Sequence, residues 1–427
     1  MTFSSRFAKL DFVSSLYLLS GCLFLFDLKN KLEKATLQQL KEQNRNLALK
    51  ILLERPTSNR AEIARISHLT RTTVSDIVAG LINEGLVREI GTGSSIGGKS
   101  PILLSLAADS RHLIGLDLAY QEFTGAIVNL RGQIREMVSR PIFSNNGENA
   151  LQLAYEMIDR LVRVSSQPLV GICVATPGLS NTQEGVVIEA VNLDWRNLPL
   201  RQLLQDRYHL PVYVLNDCQA AAMGEYHYGN GYSSARNLVV VRVGHGIGAG
   251  IIINGQIFQG DNGHAGEIGH VVSVREGGDH CRCGNVGCLE TVASARSVLL
   301  RAETLARTQK TLLNETSGKI TLDTLEQAFW AGDALAQQII HEAGYYLGMA
   351  ISNLVGAMNI NQVILTGIMT RFGELWLKVV QETAIRGVLP RFGQELTIEI
   401  GHLKDNEAIL GASALLVSNY SLLFKRQ

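Results

Sequence analysis

The sequence lacks an excess of charge of either sign, because its 427 residues contain 39 Lys or Arg and 39 Asp or Glu. A neutral total gives no basis for identifying a partner, such as a polyanion, from overall charge. With 46% hydrophobic and 18% charged residues, the composition is that of an ordinary globular protein. The chain is too long for one ordinary core, so we expect two or three domains.

The sequence also lacks a long apolar run at its N-terminus, where the uncharged stretch is short. Residues 12–26 (FVSSLYLLSGCLFLF) are uncharged and follow Arg6 and Lys9, as in the core of a signal peptide. Fifteen residues are few for a membrane span, and no Ala-x-Ala cleavage pattern follows. We therefore expect residues 1–30 to be a mis-assigned start or a dispensable extension. The protein is predicted to be cytoplasmic, without a membrane partner.

Cysteine is scarce as well, yet half of the six cysteines fall within eight positions. Cys281, Cys283 and Cys288 follow His270 and complete a Cys₃His set, which a tetrahedral zinc ion accepts in a closed structural site. A disulfide is the competing explanation, but Cys281 and Cys283 are poorly spaced for a pair and one thiol would be left over. The spacing therefore predicts structural zinc in the loop 270–290. The other cysteines are expected to be small buried apolar residues: Cys22, Cys173 and Cys218.

The charge of the chain is unevenly distributed, because residues 31–100 hold eleven Lys or Arg against seven Asp or Glu, a net charge of +4. Apolar residues recur at helical spacing over residues 32–54, until Pro56 ends the pattern. The residues that carry this spacing are Leu37, Leu40, Leu47 and Ile51. We expect one helix here, at the start of a locally basic module.

Two shorter helices are predicted next, at residues 60–66 and about 70–84, with a tight turn at 67–69. Their apolar side chains can close a small core: Ile63, Ala64, Leu69, Val74, Ile77, Val78 and Leu81. Two helices joined by so short a turn form a helix-turn-helix, whose second helix can enter the DNA major groove. The residues expected to contact DNA are Arg71, Thr72, Thr73, Ser75, Asp76 and Lys99.

The segment after the second short helix has the pattern of a β-wing. Gly85 ends the helix, and LVREIGTGSSIGGKSP alternates and turns up to a Gly-Gly-Lys tip at 97–99. A three-helix bundle used for protein contacts is the alternative. The wing, its tip and the local positive charge favour DNA, so residues 31–105 are predicted to form a winged helix-turn-helix domain.

Two stretches of the remaining chain repeat one another. Residues 112–134 and 237–257 each predict strand, turn and strand, then an Arg-Gly or Asn-Gly hairpin signal and a third strand. Two unrelated hairpins are the alternative, but copies this long, each followed by helical segments, favour two similar lobes around a cleft. The architecture of residues 110–420 resembles the actin-like, two-lobed α/β fold of sugar kinases, whose paired turns hold the phosphates of ATP.

The two predicted turns are not equally suited to a nucleotide. Residues 244–250 (GHGIGAG) are glycine-rich, so their N–H groups can approach phosphate. In the other turn Asp117 is followed by Ala119-Tyr120-Gln121, where kinases of this kind carry Gly-Gly-Thr. A tyrosine without glycine should crowd the nucleotide out, so the chain is predicted not to be an enzyme.

The zinc loop also carries acidic residues. GEIGH (266–270) places Glu267 one helical turn from His270, and Glu290 follows the last cysteine by two residues. A metal that fixes His270 also orients its other ring nitrogen, which can point between the two carboxylates. Such a set suits the vicinal hydroxyls of a sugar, because each hydroxyl both donates and accepts hydrogen bonds. Either glutamate alone could be a surface carboxylate, but the shared loop argues against that.

Further polar residues are predicted at strand ends, where α/β clefts bind ligands. Residues 190–200 offer Asn192 and Asp194, and residues 215–229 place Asn216 and Asp217 between a strand and a helix. Each of these residues could instead be a helix N-cap, a role that is plausible for Asp217 as well.

GEIGH, CRCGNVGCLE, LNDCQAAAMGE and the N-terminal winged helix together resemble the ROK family (repressor, open reading frame, kinase), and more closely its repressor branch, over about residues 31–420. The resemblance implies a sugar-responsive repressor of carbohydrate metabolism or uptake genes, working as a homodimer or homotetramer on a palindromic operator. Its effector would be a monosaccharide or a sugar phosphate. The implied sugar ligands are Asn192, Asn216, Asp217, Glu267, His270 and Glu290.

Two alternatives stay open at this point. The first is an ATP-dependent sugar kinase of the ROK type with an added DNA-binding head, in which Asp217 would be the catalytic base. The second is a repressor released by a partner protein instead of a sugar. The intact set of Glu267, His270 and Glu290 favours a small ligand.

Overall fold

The computed structural model describes residues 37–94, 100–142, 146–229, 235–315 and 319–418. They form two compact units, one of residues up to 82 with 89–105, the other of 83–88 with the residues from 106 onward. The predictions for residues 1–30 and for the Gly-Gly-Lys tip with Lys99 lie outside the described residues. No helix in the described ranges combines the length and apolar character needed to cross a membrane.

The described residues of the first unit form three helices and a two-stranded sheet. They are α1 (Leu37–Glu54), α2 (Arg60–Ser67), α3 (Arg71–Asn83), β1 (Val87–Thr92) and β2 (Ile102–Leu106). The Asn59 side chain caps α2 by accepting the Glu62 N–H at 3.0 Å, and α2 ends at His68 in the left-handed conformation. Three residues (68–70) separate α2 from α3, and Thr70 Oγ1 accepts the Thr73 N–H at 3.2 Å.

The helix predicted over residues 32–54 is present over Leu37–Glu54 of the described residues. Among the residues that carry its helical spacing, Ile51 is buried, whereas Leu40 and Leu47 are 44% and 38% exposed. The buried residues of α1 are Ala48, Leu49, Ile51 and Leu52. Only the C-terminal half of α1 faces the other helices. On α2 and α3, Ile63, Ala64, Val74, Val78 and Leu81 are buried as predicted.

The second unit begins with a five-stranded sheet. Its first elements are β3 (His112–Leu118), β4 (Glu122–Asn129), β5 (Ile134–Pro141), α4 (Glu148–Val164), β6 (Leu169–Thr176), β7 (Leu179–Asn181), β8 (Val186–Ala190), β9 (Trp195–Leu198), α5 (Leu200–Tyr208), β10 (Val212–Asn216) and α6 (Asp217–Tyr228). The first sheet has the order β10-β6-β3-β4-β5, and β7, β8 and β9 form a small separate sheet.

A second five-stranded sheet follows in the chain. Its elements are β11 (Asn237–Val243), β12 (Ile247–Ile253), β13 (Gln256–Ile257), α7 (Glu290–Ala293), α8 (Ala295–Ala306), α9 (Leu322–Trp330), α10 (Ala334–Met358), β14 (Gln362–Thr366), α11 (Gly373–Gly387), α12 (Pro390–Glu395), β15 (Thr397–Ile400) and α13 (Glu407–Ser418). The second sheet has the order β13-β12-β11-β14-β15.

The two sheets have the same topology. In each, three antiparallel strands of one meander are continued by two parallel strands: β3, β4 and β5 with β6 and β10, and β11, β12 and β13 with β14 and β15. The hairpin between β12 and β13 turns at Asn254 and Gly255, both at positive φ, as an Asn-Gly signal predicts. The predicted duplication is therefore confirmed.

Two helices connect the layers at the centre of this unit. Helix α6 packs on β11 and β12 of the second sheet, α13 packs on β3 and β6 of the first, and the two helices pack on each other. Helix α6 begins at Asp217 and α13 begins at Glu407. Both helix starts therefore point their first carboxylates toward the region between the sheets, where β11 also ends.

Candidate functional site

The predicted zinc ligands lie together. The ligand atoms of His270, Cys281, Cys283 and Cys288 are all within 4.8 Å of one another. Cys281 Sγ is 3.5 Å from His270 Nδ1, and the sulfurs of Cys283 and Cys288 are 3.7 Å apart. Two sulfurs bound tetrahedrally to zinc at about 2.3 Å are about 3.8 Å apart, so these positions fit the ion. His270 would then use Nδ1 as its ligand atom.

The backbone of the loop holds this geometry. An isolated β-bridge joins His280 to Val286, and the Cys281 N–H donates to the Asn285 carbonyl at 2.8 Å. Gly284 and Gly287 have φ values of 95° and 75°, which side-chain-bearing residues rarely adopt. All cysteines in the described ranges are free thiols, so the disulfide alternative is wrong there. Cys173 and Cys218 are buried, as predicted.

Four of the predicted sugar ligands lie close together and are called the acidic group below: Asp217, Glu267, His270 and Glu290. Glu267 Oε2 lies 4.0 Å from His270 Nε2, the ring nitrogen that is turned away from the cysteines. Burial, followed by the nearby charges of Asp217 and Glu290, raises the pKa of Glu267 to about 7. Glu290 Oε2 accepts the Ile247 N–H at 3.3 Å, and its Oε1 is 3.3 Å from Nη2 of Arg282. The imidazole of His270 thus lies beside the carboxylate of Glu267.

The two asparagines have other contacts. Asn216 caps α6, with Oδ1 accepting the Cys218 N–H at 2.9 Å, while its Nδ2 donates to the Gly178 carbonyl at 3.0 Å. Asn216, and not Asp217, is therefore the N-cap. Asn192 is half-buried in the 3-10 turn Val191–Leu193, and no contact within the described ranges joins its side chain to the acidic group.

The glycine-rich turn between β11 and β12 packs closely on its surroundings. A Cβ on Gly246 would lie 2.7 Å from Glu290 Oε2, and one on Gly248 would lie 2.6 Å from Cys218 Sγ. The Ile247 N–H is already bonded to Glu290. In this chain the glycines therefore let the turn approach the acidic group and the start of α6.

The other turn, between β3 and β4, contacts the glycine-rich turn directly. The rings of Tyr120 and His245 lie with centroids 4.2 Å apart, and Gln121 Nε2 is 2.9 Å from His245 Nε2. Burial, then the charges of Arg282 and Arg296, lowers the pKa of His245, so its ring is neutral at pH 7 and can accept the amide hydrogen bond. Side chains thus join the two turns across the cleft.

Arg242, which the sequence reasoning missed, connects both sheets. Its Nη2 is 2.7 Å from Asp117 Oδ2, its Nη1 is 2.9 Å from Asp217 Oδ2, and its Nε is 3.4 Å from Glu407 Oε1. Burial raises the pKa of Asp117 above its ordinary value and that of Glu407 to about 7. An arginine in an otherwise apolar strand (LVVVRV, 238–243) was the available signal, because a buried guanidinium requires carboxylate partners.

The predicted DNA contacts share one surface of α3. Arg71, Thr72, Ser75 and Asp76 are exposed, and Thr73 is half-buried. Arg71 also lines an open groove of about 880 Å³ beside α2, which is bordered by Asn59, Arg65 and Thr70. The outer surface of α3 is therefore exposed among the described residues of its unit.

Comparison with known proteins identifies the family of the second unit. Residues 113–419 match the model of the ROK family. The chain belongs to the ROK family. It is 34% identical to the xylose repressor of Caldicellulosiruptor bescii, over 89% of this chain and 96% of that protein. It is 32% identical to the glucokinase of Halalkalibacterium halodurans, over 72% of this chain and 95% of that protein.

A solved structure resembles both units of this ROK protein. The crystal structure of a ROK family transcriptional regulator, a homologue of the E. coli MLC protein, aligns with a TM-score of 0.78 at 24% identity. The alignment covers 90% of this chain and 98% of that one, whereas the glucokinase match leaves 28% of this chain uncovered. This ROK chain therefore carries more than the kinase-length body.

Proposed function

We propose that this ROK protein is a sugar-responsive transcriptional repressor of carbohydrate metabolism or uptake genes. The observation that carries the proposal is the similarity to a xylose repressor along 96% of that protein's length. The glucokinase match reaches 95% of the kinase but only 72% of this chain, so the additional length is shared with the repressor. Sugar recognition and DNA recognition are assigned to different units.

The first unit is assigned to DNA as a winged helix-turn-helix. The short turn between α2 and α3 and the exposed polar surface of α3 support this role. The proposed contacts are Arg71, Thr72, Thr73, Ser75 and Asp76, with Lys99 on the wing. A homodimer or homotetramer would present two such units to a palindromic operator, because a two-fold axis in the protein requires one in the DNA.

The second unit is assigned to a monosaccharide. The carboxylates of Asp217, Glu267 and Glu290 would accept hydrogen bonds from sugar hydroxyls, and His270 would take part through Nε2. Asn192 and Asn216 complete the proposed set. The cysteine loop would hold zinc with His270 Nδ1, and the ion would serve a structural purpose, because four protein ligands leave no open position.

Sugar binding would control DNA binding through the angle between the two sheets. An allosteric coupling of about 1–3 kcal/mol changes operator affinity about 5- to 150-fold. The contacts of Arg242 and of His245 extend between the sheets, so a ligand that alters either contact alters the angle. A change in the second unit would then reach the paired first units of the oligomer.

Phosphoryl transfer to a sugar is the rival function, and contacts in the cleft oppose it. A kinase needs space for nucleotide phosphates at both turns and carboxylates free to hold Mg²⁺. Here Tyr120 and Gln121 contact His245 between the turns, and Arg242 is bonded to Asp117 and Asp217. No kinase activity is therefore proposed.

The test is selection of genomic DNA fragments by the purified full-length protein at physiological salt. We expect sequence-selective retention, and release of the selected fragment by one member of a panel of free and phosphorylated monosaccharides. A ligand at 100 times its Kd should also stabilise the protein by about 2.7 kcal/mol in thermal-shift assays. Absence of selective retention contradicts the proposal, and sugar-dependent ATP consumption would support the rival.

A further inference from the structure

We propose that Arg242 is a positioning residue of the sugar site and that its pairing makes the cleft select an uncharged monosaccharide over a sugar phosphate. This inference rests on the proposed function and names the class of ligand for that site. It depends on where the positive charge of Arg242 is directed and on which acceptors are left for a ligand.

The guanidinium of Arg242 has no pair of parallel N–H groups free to bind a phosphate. Phosphate recognition by arginine uses two parallel N–H groups directed at the phosphate oxygens. In this structure Nη1 faces Asp217 at 2.9 Å, Nη2 faces Asp117 at 2.7 Å and Nε faces Glu407 at 3.4 Å. Its side chain is 16% exposed. All three nitrogen positions are therefore directed at carboxylates.

Carboxyl groups outnumber guanidinium groups around the site. The carboxylates are Asp117, Asp217, Glu267, Glu290 and Glu407, and the guanidinium groups paired with them belong to Arg242 and Arg282. Asp117 Oδ1 and both carboxylate oxygens of Glu407 are buried and have no hydrogen-bond partner in the described ranges. A phosphate dianion would meet like charges here, whereas the hydroxyls of an uncharged sugar can donate to the carboxylates.

The same pairing fixes the orientation of Asp217. Its Oδ1 accepts the Cys218 N–H at 2.9 Å, and its Oδ2 accepts from Arg242. Oδ1 also faces the Cys218 thiol at 3.5 Å, so Oδ2 is the oxygen that keeps a further lone pair for a ligand hydroxyl, and the side chain remains 20% exposed. Without Arg242 one of these two anchors is lost and the carboxylate can rotate away from the ligand.

The experiment is isothermal titration of the full-length, zinc-loaded protein with six probes. They are D-xylose, D-glucose and N-acetyl-D-glucosamine, and the 5-phosphate of the first and the 6-phosphates of the other two. We expect at least one free sugar to bind wild type with a Kd at least tenfold below that of its phosphate. A phosphate that binds as tightly as its parent sugar overturns the inference but leaves the repressor proposal standing.

Variants then isolate the contribution of Arg242 to the choice between free sugar and sugar phosphate. The double variant Asp117→Asn with Glu407→Gln removes two carboxylate partners of Arg242 and so frees the charge of its guanidinium. We expect the ratio of the phosphate Kd to the free-sugar Kd to fall at least fivefold. Adding Arg242→Met to that pair should abolish the gain for the phosphate and weaken free-sugar binding at least tenfold. Arg386→Met, on the exposed surface of α11, is the matched control and should change neither value. If the ratio of the phosphate Kd to the free-sugar Kd is the same in the double variant as in wild type, the proposed role of Arg242 is overturned.

A negative result with all probes has a separate meaning. If none of the six binds wild type, the sugar site of the proposed function is refuted, and the inference is refuted with it. Loss of folding in any variant is recognised by circular dichroism. A variant that does not fold is replaced by Arg242→Lys, which keeps the positive charge but loses the parallel N–H groups of the guanidinium. We expect the affinity of Arg242→Lys for the free sugar to lie between the affinities of wild type and Arg242→Met.

Discussion

Gln121 and His245 join the equivalent turns of the two duplicated meanders, with their Nε2 atoms 2.9 Å apart. Gln121 lies between β3 and β4, and His245 lies between β11 and β12. The amide can donate only to a neutral imidazole, and the lowered pKa of His245 provides that form at pH 7. The contact therefore closes the space between the turns with protein atoms.

This contact predicts the behaviour of the cleft toward nucleotides. Wild type should not bind a fluorescent ATP analogue, whereas Tyr120→Gly with Gln121→Thr removes both contacts to His245 and should gain measurable binding. Turnover should stay absent in a coupled ATP-consumption assay, because Arg242 still pairs with Asp117 and Asp217. Sugar-dependent turnover by wild type that disappears in Asp217→Ala would contradict this prediction.

The cysteine loop predicts a metal content that can be measured directly. Purified protein should carry about one zinc ion per chain, because four potential ligand atoms lie within 4.8 Å of one another. Cys288→Ser should lose the metal, lower the Tm and abolish the thermal shift caused by sugar, since His270 is then no longer held. Cys173→Ala, at a buried cysteine outside the loop, should keep full zinc content by inductively coupled plasma mass spectrometry. Equal zinc in both variants would exclude the assigned ligands.

Exposure of Arg71 at the start of α3 predicts a role in DNA affinity. Arg71→Ala should weaken binding to a selected fragment by about 1–3 kcal/mol if the side chain reads a base. If it contacts phosphate instead, the slope of log affinity against log salt should fall by about 1. Fluorescence anisotropy at several salt concentrations separates the two cases. Arg386→Ala is the control, and equal affinity of both variants would assign α3 to another role, such as protein contacts.

Burial of Glu407 predicts that stability falls as pH rises. Its pKa is about 7 in the folded protein against an ordinary value of 4.5, so the folded state holds the proton more tightly. The stabilisation is complete below pH 4.5 and is lost as pH rises through about 7, by up to about 3 kcal/mol. Urea unfolding at pH 5 and pH 8 should show a smaller pH effect in Glu407→Gln than in wild type. An equal pH effect in both proteins would show that a group other than Glu407 causes the change in stability.

Local patterns predicted much of the fold correctly. The two meanders follow alternation and hairpin signals over about twenty residues each, and both were confirmed, because hydrogen bonds between neighbouring strands depend on nearby residues. Helical spacing predicted α1 but not its buried side, because spacing gives the stripes of a helix and not the stripe that meets a partner. The assignments of individual sugar and DNA contacts stay predictions.

The sequence by itself determined which residues form the Cys₃His cluster, since Cys281, Cys283 and Cys288 lie within one short loop whose backbone can bring them together. Only the tertiary structure decided the partners of Arg242, because Asp117 and Glu407 are far from it in the chain and reach it from the other sheet and from the start of α13. A buried guanidinium must find carboxylates, but which ones it finds depends on how the two sheets and two helices pack.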